Sequence, residues 1–405
     1  MEKIMCALSG GGFRATFFHA GVLRALIRLG LKNQIAAIST VSGGSITGAL
    51  FVLLFNHIRS LDDFDRLVIA PLINLSNRRL GNKLLLHKIA RLPTHLLSTV
   101  LDLMGLPHMS LDKHNSTALF IAELDAALYT NATLAQLPEY PRLHINTTNL
   151  NNGSRWRFTQ GDFGDYKTGY SYDTDRITLA EAVAASAGYP LLFPPYRLMT
   201  DECAFYIRNQ SNDDIASNKG VPATIFLSDG GIYDNLGIHA LKHQLSINKD
   251  SFLLISDASS SLRIVDTEYG YISACKRNID ILLEQVVSRD RQIILFNFAH
   301  NIWRGIFFRL ENTTKHYKAS RATTAEYSNQ FSRLGLSEDL VRQIRNISTN
   351  TTVFTPQQLG NILLHGETLT ETLLAKWHPQ LYLQLLQAPA YIPVSSNYHF
   401  LTAEK

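Results

Sequence analysis

The sequence is poor in cysteine: Cys6, Cys203 and Cys275 lie far apart among 405 residues. Three cysteines so spaced build neither a disulfide framework nor a zinc site. With 10% aromatic and 45% hydrophobic residues, the composition is not that of a disordered protein. We therefore expect a reduced chain that folds around its own hydrophobic core.

Long apolar runs are also missing. The longest lies near Ala49–Phe55, far short of the ~20 residues that cross a bilayer. Only five mostly apolar residues, Ile4 to Leu8, precede Ser9, which is too short for the core of a secretory signal. The sequence predicts a cytoplasmic protein without a signal peptide or a transmembrane helix, and specialised export would leave no readable mark.

The charge is nearly balanced, since 38 Lys and Arg against 34 Asp and Glu leave a net charge of +4. The basic residues are not interleaved with aromatic ones in a stripe, so we expect no nucleic-acid partner. The histidines have no metal-binding spacing, and no EF-hand pattern occurs. The sequence therefore predicts no metal, no calcium requirement and no cofactor, and it does not indicate the oligomeric state.

Strand-like apolar runs alternate with helical patterns in the first 55 residues. Ile4–Leu8 and Ile35–Val41 each end in a glycine-rich turn that opens an apolar helix, which is typical of a mostly parallel sheet covered by helices on both faces. Further along we predict strands at Leu143–Asn149, Ile225–Ser228 and Phe252–Ser256, a helix at Leu179–Ser186, and a mainly helical chain from Ile279 with one strand-like run at Ile293–Phe298.

The domain organisation follows from this pattern. We predict one α/β domain over residues 1–260, with a helical, basic insertion at 56–117 that serves as a lid or membrane contact. A mainly helical continuation over 261–405 is expected to pack on the same domain.

The first motif is Ser9-Gly10-Gly11-Gly12-Phe13-Arg14-Ala15, between a predicted strand and helix. Consecutive glycines let backbone N–H groups converge, and a helix N-terminus adds positive potential, so the motif predicts an anion-binding hole. The same glycines fit the dinucleotide fingerprint, which also needs an acidic residue about 20 positions later. No Asp or Glu lies between Glu2 and Asp62, so we do not expect a nucleotide.

The second motif is Thr40-Val41-Ser42-Gly43-Gly44-Ser45, directly after a predicted strand. A nucleophile elbow needs a serine on a strained turn with small neighbours. Ser42 meets this requirement, although Thr40 stands where the G-x-S-x-G pattern has glycine. A serine that only caps the next helix is the structural alternative.

The third motif, Ser228-Asp229-Gly230-Gly231, continues to Gly237 and follows another predicted strand. In open α/β sheets a side chain at a strand end projects into the crevice where ligands bind. An Asp-Gly pair alone is often only an Asx turn. Three such motifs at strand ends together favour a catalytic site with Ser42 facing Asp229.

With these three motifs the chain resembles the patatin-like phospholipases. The resemblance covers most of the chain, includes segments 146–150, 184–190 and 279–285 that are similar to bacterial members, and departs at Thr40 and Ala15. It implies a three-layer α/β fold and a phospholipase A-type lipid acyl hydrolase, with Ser42 as nucleophile and Asp229 as general base, no catalytic histidine, and an acyl-ester lipid as substrate. The implied oxyanion hole comprises Gly10, Gly11, Gly12 and Arg14.

Two alternatives remain open. Ser42, Asp229 and then His239 or His243 have the chain order of an α/β-hydrolase triad. The other alternative is a lipid-binding scaffold that has the same fold and an inactive dyad. Labelling of the active-site serine by a fluorophosphonate distinguishes an enzyme from such a scaffold.

A basic, leucine-rich stretch predicts peripheral contact with a membrane. No acidic residue lies between Asp65 and Asp102, whereas Arg78, Arg79 and Lys83 are among the basic ones. Such a segment places apolar side chains at the acyl boundary and cations near anionic head groups. The alternative is that the leucines face the protein core.

Overall fold

The computed structural model describes residues 3–78, 115–190, 192–208, 214–216, 220–242, 251–262, 264, 266, 268–317, 335–349 and 353–377. The strands are β1 Lys3–Leu8, β2 Ile35–Val41, β3 Arg142–Asn149, β4 Arg155–Phe158, β5 Phe163–Asp165, β6 Gly169–Ser171, β7 Tyr196–Met199, β8 Tyr206–Arg208, β9 Asp214–Ala216, β10 Thr224–Asp229, β11 Ser251–Asp257 and β12 Arg304–Arg309.

The α-helices are α1 Gly12–Arg28, α2 Gly43–Leu53, α3 Leu61–Phe64, α4 Ala70–Asn77, α5 Ser116–Leu124, α6 Leu179–Ser186, α7 Gly231–Asp234, α8 Tyr271–Ala299, α9 Glu338–Asn346 and α10 Pro356–Trp377. Segments Asp65–Ile69 and Asp125–Tyr129 are π-helical, and short 3-10 turns occupy Lys32–Gln34, Phe55–His57, Leu134–Gln136, Thr174–Arg176 and Thr314–His316. Among the described helices none combines the length and apolarity needed to cross a bilayer.

All the described strands belong to one mixed sheet. Its parallel part runs in the order β12-β11-β1-β2-β3. An antiparallel part continues from β3 through β4, β5, β6, β8 and β9, and β10 pairs antiparallel with both β3 and β7. The predicted α/β class, with a mostly parallel centre, is confirmed.

The core lies on both faces of this sheet. Along β1, Cys6 and Leu8 face a large cluster that includes side chains of α1, α2 and α10. Met5 and Ala7 face the opposite side and pack in a second cluster with Ile294 of α8. This alternation is the ordinary two-residue period of a strand, and it produces the expected three layers.

One predicted element is wrong. The apolar run Ile293–Phe298 is not a strand but the last part of helix α8, and the strand follows at β12. Ile294 is buried, whereas the next two residues, Leu295 and Phe296, are both exposed. A short apolar run at the end of a half-buried helix cannot be separated from a strand by periodicity alone.

Helices α1 and α10 approach each other closely at two glycines. A Cβ atom on Gly21 of α1 would lie 2.1 Å from the carbonyl oxygen of Leu363, and one on Gly366 of α10 would lie 2.1 Å from that of Phe18. Neither distance leaves room for a methyl group, so the backbones themselves form the contact.

Buried ion pairs connect the same two helices. Arg24 contacts Asp65 at 2.8 Å and Glu367 at 2.9 Å. Arg28 contacts Glu371 at 3.0 Å and also pairs with Glu367. Burial raises the pKa of Glu371 to about 7, although both arginines act in the opposite direction. Helix α1, which begins at the glycine motif, is therefore held in place by its contacts with α10.

We predict that Gly366→Ala lowers the free energy of unfolding by about 1–3 kcal/mol, because the added methyl group must push the two helices apart. Urea denaturation measures this change. Gly161→Ala is the matched control, since no heavy atom lies within 4 Å of its Cβ position. Equal stability of the two variants would contradict the close helix contact.

Candidate active site

Strand pairing brings the three sequence motifs together. Because β1 and β2 are parallel, the glycine motif and Ser42 leave the sheet at the same edge. The prediction that Asp229 faces Ser42 assumed a parallel strand, but β10 is antiparallel to its neighbours. The register of β10 still brings Asp229 close to the end of β2. Asp229 lies opposite Thr147 of β3, and Asn146, the neighbour of Thr147, lies opposite Val41.

Ser42 occupies a strained strand-to-helix turn. Its backbone has φ 51° and ψ −121°, in a region that residues other than glycine rarely adopt. The turn is tightly enclosed, because a Cβ atom on Gly43 would lie 2.0 Å from the Gly12 carbonyl oxygen and one on Gly44 would lie 2.5 Å from that of Leu8. The Ser42 N–H donates to the Ser186 hydroxyl at 3.0 Å. This is the geometry of a nucleophile elbow.

Thr40, the departure from the elbow pattern, fits the turn for a local reason. Its hydroxyl donates to the His144 carbonyl at 3.1 Å and accepts from the Ser45 hydroxyl at 3.0 Å. Its methyl group fills the space beside Gly48, where a Cβ atom would come within 2.4 Å. A glycine on α2 therefore accommodates the larger residue at position 40.

Asp229 presents a buried carboxylate to the serine. The residue is 6% exposed, and its Oδ1 accepts the Gly231 N–H at 2.7 Å. Ser42 lines the same cavity as this carboxylate. Burial raises the pKa of Asp229 to about 6, and hydrogen bonding from the Gly231 N–H and from the Ser42 side chain opposes that shift. A carboxylate of this pKa is half protonated near pH 6 and accepts a proton more readily than an ordinary aspartate.

The glycine loop, residues 9–12, supplies backbone donors near Ser42. Gly11 has φ 144° and Gly12 has φ 64°, so both use backbone freedom that glycine provides. Within the described residues, the N–H groups of Gly11 and Gly12 have no hydrogen-bond partner. They lie at the N-terminus of α1, where the helix dipole favours a negative charge.

Gly10 differs from the next two glycines. Its N–H donates to the Asn235 carbonyl at 3.0 Å. A Cβ atom on Gly10 would lie 2.2 Å from the Asn235 side-chain oxygen and 3.3 Å from the Ser42 Cβ. Gly10 therefore provides space between Ser42 and Asn235, while its donor is already used.

Arg14 is buried and fixes the surroundings of the loop. Its guanidinium donates to the carbonyls of Ala258 at 3.1 Å, Arg345 at 3.0 Å and Ile347 at 3.1 Å. The Ala258 carbonyl also packs against Gly11, where a Cβ atom would lie 2.8 Å from it. Arg14 thus connects the loop with the end of β11 and with the chain that follows α9.

His19 supports the same loop and was not singled out from the sequence. One ring nitrogen bonds the Ser9 carbonyl at 2.9 Å, and the other bonds the Ser256 hydroxyl at 3.0 Å. Burial lowers the pKa of His19 to about 4, so the ring is neutral at pH 7. A single histidine in an apolar helix is no different in sequence from an ordinary core residue.

A cavity of about 620 Å³ opens onto Ser42 and Asp229. Its apolar lining includes Phe13, Ile46, Phe120, Leu192 and Phe193. Helix α8 adds three charged side chains to the lining, Lys276, Asp280 and Glu284. Asp280 accepts hydrogen bonds from the Tyr189 hydroxyl at 2.5 Å and from Lys276 at 2.6 Å. This lining was not predicted, because its residues come from distant parts of the chain.

His239 contacts neither Ser42 nor Asp229. Its Nε2 lies 3.3 Å from Asp290 Oδ1 and 3.2 Å from Lys242 Nζ. Within the described residues, no histidine hydrogen-bonds to the serine or to its carboxylate partner. His243 lies outside the described residues.

Only one of the three predicted membrane-contact residues falls in the described part. Arg78 is 31% exposed at its side chain and pairs with Glu123 at 3.3 Å. Arg79 and Lys83 lie outside the described residues. Contact of this stretch with a membrane therefore stays a prediction.

The fold and this site define a three-layer α/β protein with a nucleophile-elbow serine beside a buried carboxylate. The profile of the patatin-like phospholipase family matches residues 6–242, more than half of the chain, and the chain belongs to this family. The resemblance stated from the sequence is confirmed. No curated protein matches the chain.

Several solved structures are similar to the chain at low identity. Human GIVD cytosolic phospholipase A2 has a TM-score of 0.48 and 13% identity over 95% of this chain, and its complex with methyl gamma-linolenyl fluorophosphonate has a TM-score of 0.46 and 14% identity over the same share. VipD from Legionella pneumophila has a TM-score of 0.34 and 15% identity over 85% of this chain and 67% of its own. The chain spans 60% of the length of the human structures that it matches.

We predict that the rate at which a fluorophosphonate labels Ser42 increases with pH to a plateau, with a midpoint near the Asp229 pKa of about 6. Below that pH the carboxyl group is protonated and accepts no proton from the serine. The rate is measured with a fluorescent probe, and Asp229→Asn serves as the variant without a base. Equal rates at pH 5 and pH 8 would contradict the role of this carboxylate.

Proposed function

We propose that the protein is a lipid acyl hydrolase in which Ser42 attacks an ester carbonyl and Asp229 is the general base. The observation that carries the proposal is that Ser42, on its strained turn, and the buried carboxylate of Asp229, whose pKa is raised to about 6, line the same cavity. A strained serine needs a base within hydrogen-bond reach to become a nucleophile.

The reaction proceeds in two steps. Asp229 accepts the hydroxyl proton while Ser42 Oγ bonds to the ester carbon; the ester C–O bond then breaks, and the alcohol leaves with that proton. The acyl-enzyme is cleaved by water, which gives a proton to Asp229 and its oxygen to the acyl carbon. Ser42 then recovers the proton, and a free fatty acid is released.

The N–H groups of Gly11 and Gly12 form the proposed oxyanion hole. Both are unpaired within the described residues and lie at the N-terminus of α1, so they stabilise a developing negative charge without rearrangement. Gly10 and Arg14 contribute differently from the direct contact expected from the family resemblance. Gly10 provides space, and Arg14 holds the carbonyl that packs against Gly11.

The lining of the cavity supports a lipid as substrate. Apolar residues such as Phe120 and Phe193, which stack with ring centroids 5.1 Å apart, suit an extended acyl chain. The charged side chains of α8 in the same lining suit a polar head group. Family membership and this mixed lining together favour a membrane-lipid ester over a small soluble ester.

We predict that the protein releases fatty acids from mixed phospholipid vesicles and that Ser42→Ala and Asp229→Asn abolish this release. Both variants should remain folded, because the affected side chains lie on turns at strand ends. Fatty acids are quantified by mass spectrometry, with circular dichroism as the folding control. More than a few per cent of residual release in Ser42→Ala would mean that another residue is the nucleophile.

The same assay separates the dyad from a triad. His239→Ala should retain most of the release, because its ring contacts neither member of the dyad. A loss of about 1,000-fold in a folded His239→Ala variant would favour the triad.

We further predict that Arg14→Gln lowers kcat by about tenfold or more and leaves KM nearly unchanged, because the loop loses its position for the transition state but not for the bound ester. The control is Arg24→Gln on the same helix, which removes ion pairs with Asp65 and Glu367 three turns away from the loop. Steady-state kinetics on a soluble short-chain ester provide both constants. Equal losses of kcat in the two variants would mean that Arg14 contributes only to the stability of the fold.

A further inference from the structure

A second group of chemically active side chains lies outside the cavity. Asp234 ends helix α7, His239 follows in the next turn, and Asp290 belongs to helix α8. The oxygen and nitrogen atoms that these residues offer all lie within 4.8 Å of one another. Two carboxylates and one imidazole therefore converge on one point.

The negative charge of this group is compensated only in part. Asp234 is fully buried and Asp290 is 5% exposed. Arg155 attracts Asp234 from a distance, but within the described residues no lysine or arginine comes within 4.0 Å of either carboxylate. Oδ2 of Asp290 is buried without a hydrogen-bond partner in the same part of the chain. A cation between the two buried carboxylates would compensate the remaining charge.

We propose that Asp234, His239 and Asp290 bind one divalent transition-metal ion, of which Zn²⁺ is the best-suited example. Imidazole and carboxylate together are common zinc ligands, and a site with three protein ligands leaves a position for water. Calcium is a poor match, because it takes six to eight oxygen ligands and three residues with an imidazole among them do not supply these.

The backbone already orients the first ligand. The Gly237 N–H donates to Asp234 Oδ1 at 2.9 Å, and the His239 N–H donates to Asp234 Oδ2 at 2.7 Å. Each oxygen keeps a lone pair, so these hydrogen bonds orient the carboxylate and still allow it to bind a metal ion. His239 has 31% of its side chain exposed, which gives an ion access from solvent.

Lys242 competes for the imidazole. Its Nζ lies 3.2 Å from His239 Nε2, the atom that faces Asp290, but it does not reach either carboxylate. The lysine is half-buried and its side chain is long, so it can swing away when an ion binds. Removal of the ammonium group should therefore strengthen binding, whereas removal of a ligand should weaken it.

The ion would connect two parts of the site. The turn that contains Asp234 begins at Asp229, and Asp290 lies on the helix whose Lys276 and Glu284 line the cavity. A bound ion would thus join the turn that follows Asp229 to helix α8. It takes no part in the ester cleavage, so the inference does not depend on the proposed function.

The test uses untagged full-length protein, treated with a chelator and titrated with Zn²⁺, Mn²⁺ or Ca²⁺ by calorimetry. We expect one Zn²⁺ per chain and no measurable Ca²⁺ binding. Asp290→Asn and His239→Gln should each weaken Zn²⁺ binding about tenfold or more. Lys242→Met should strengthen it, and Asp339→Asn, an exposed carboxylate on α9, should leave it unchanged.

Thermal denaturation gives a readout that does not depend on the ligand titration. In chelator, Asp290→Asn should melt at the same temperature as the wild type or above it, because the variant loses an uncompensated buried charge. Zn²⁺ should raise the melting temperature of the wild type and leave that of Asp290→Asn unchanged.

Two outcomes overturn the proposal. One is the absence of Zn²⁺ and Mn²⁺ binding in the wild type and in Lys242→Met. The other is Zn²⁺ binding that persists unchanged in both Asp290→Asn and His239→Gln, which would place the ion elsewhere, for example on a free cysteine.

Discussion

The proposed site depends on one constraint: Ser42 and the buried Asp229 carboxylate must meet in the same cavity. Burial has two effects there, because it raises the pKa of Asp229 to about 6 and keeps water from competing for the serine proton. Without a histidine between them, the two side chains must meet directly. The strained Ser42 turn and the register of β10 against β3 place both residues in the lining of one cavity.

Close backbone contact around the dyad explains why glycine is so frequent here. Gly43 packs on the Gly12 carbonyl, Gly12 packs on the Thr349 carbonyl, and Gly21 packs on the Leu363 carbonyl. The chain after α9 thus contacts the glycine loop through backbone atoms, and helix α10 contacts the middle of α1, the helix that follows the loop. The position of the proposed oxyanion donors is therefore set partly by residues more than 300 positions away along the chain, with Arg14 as the connecting side chain.

The sequence predicted what is local and missed what depends on distant contacts. Strand-turn-helix patterns identified Ser42, and a strand end followed by glycines identified Asp229, although β10 proved antiparallel. His19 was missed because its partners, Ser9 and Ser256, lie on two different strand ends. The Asp234, His239 and Asp290 group escaped the search for metal-binding spacing, since 51 positions separate its last two members. The strand predicted at Ile293–Phe298 was wrong for the opposite reason, because its local apolar pattern is compatible with either a helix or a strand.

The buried Asp229 carboxylate also has a cost to stability that the rest of the fold must offset. The folded-state pKa of Asp229, about 6, lies above its ordinary value of 3.8, so the folded protein binds this proton more tightly than the unfolded chain does. The stability contributed by the bound proton is fully present below pH 3.8, is lost as the pH rises to about 6, and is absent above it. Two pKa units correspond to about 3 kcal/mol, a large part of the net stability of a typical domain. The contact of α1 with α10, through glycines and buried ion pairs behind the glycine loop, is well placed to offset that loss. The helix that presents the proposed oxyanion hole is thereby also held by buried ion pairs and close backbone contacts with α10.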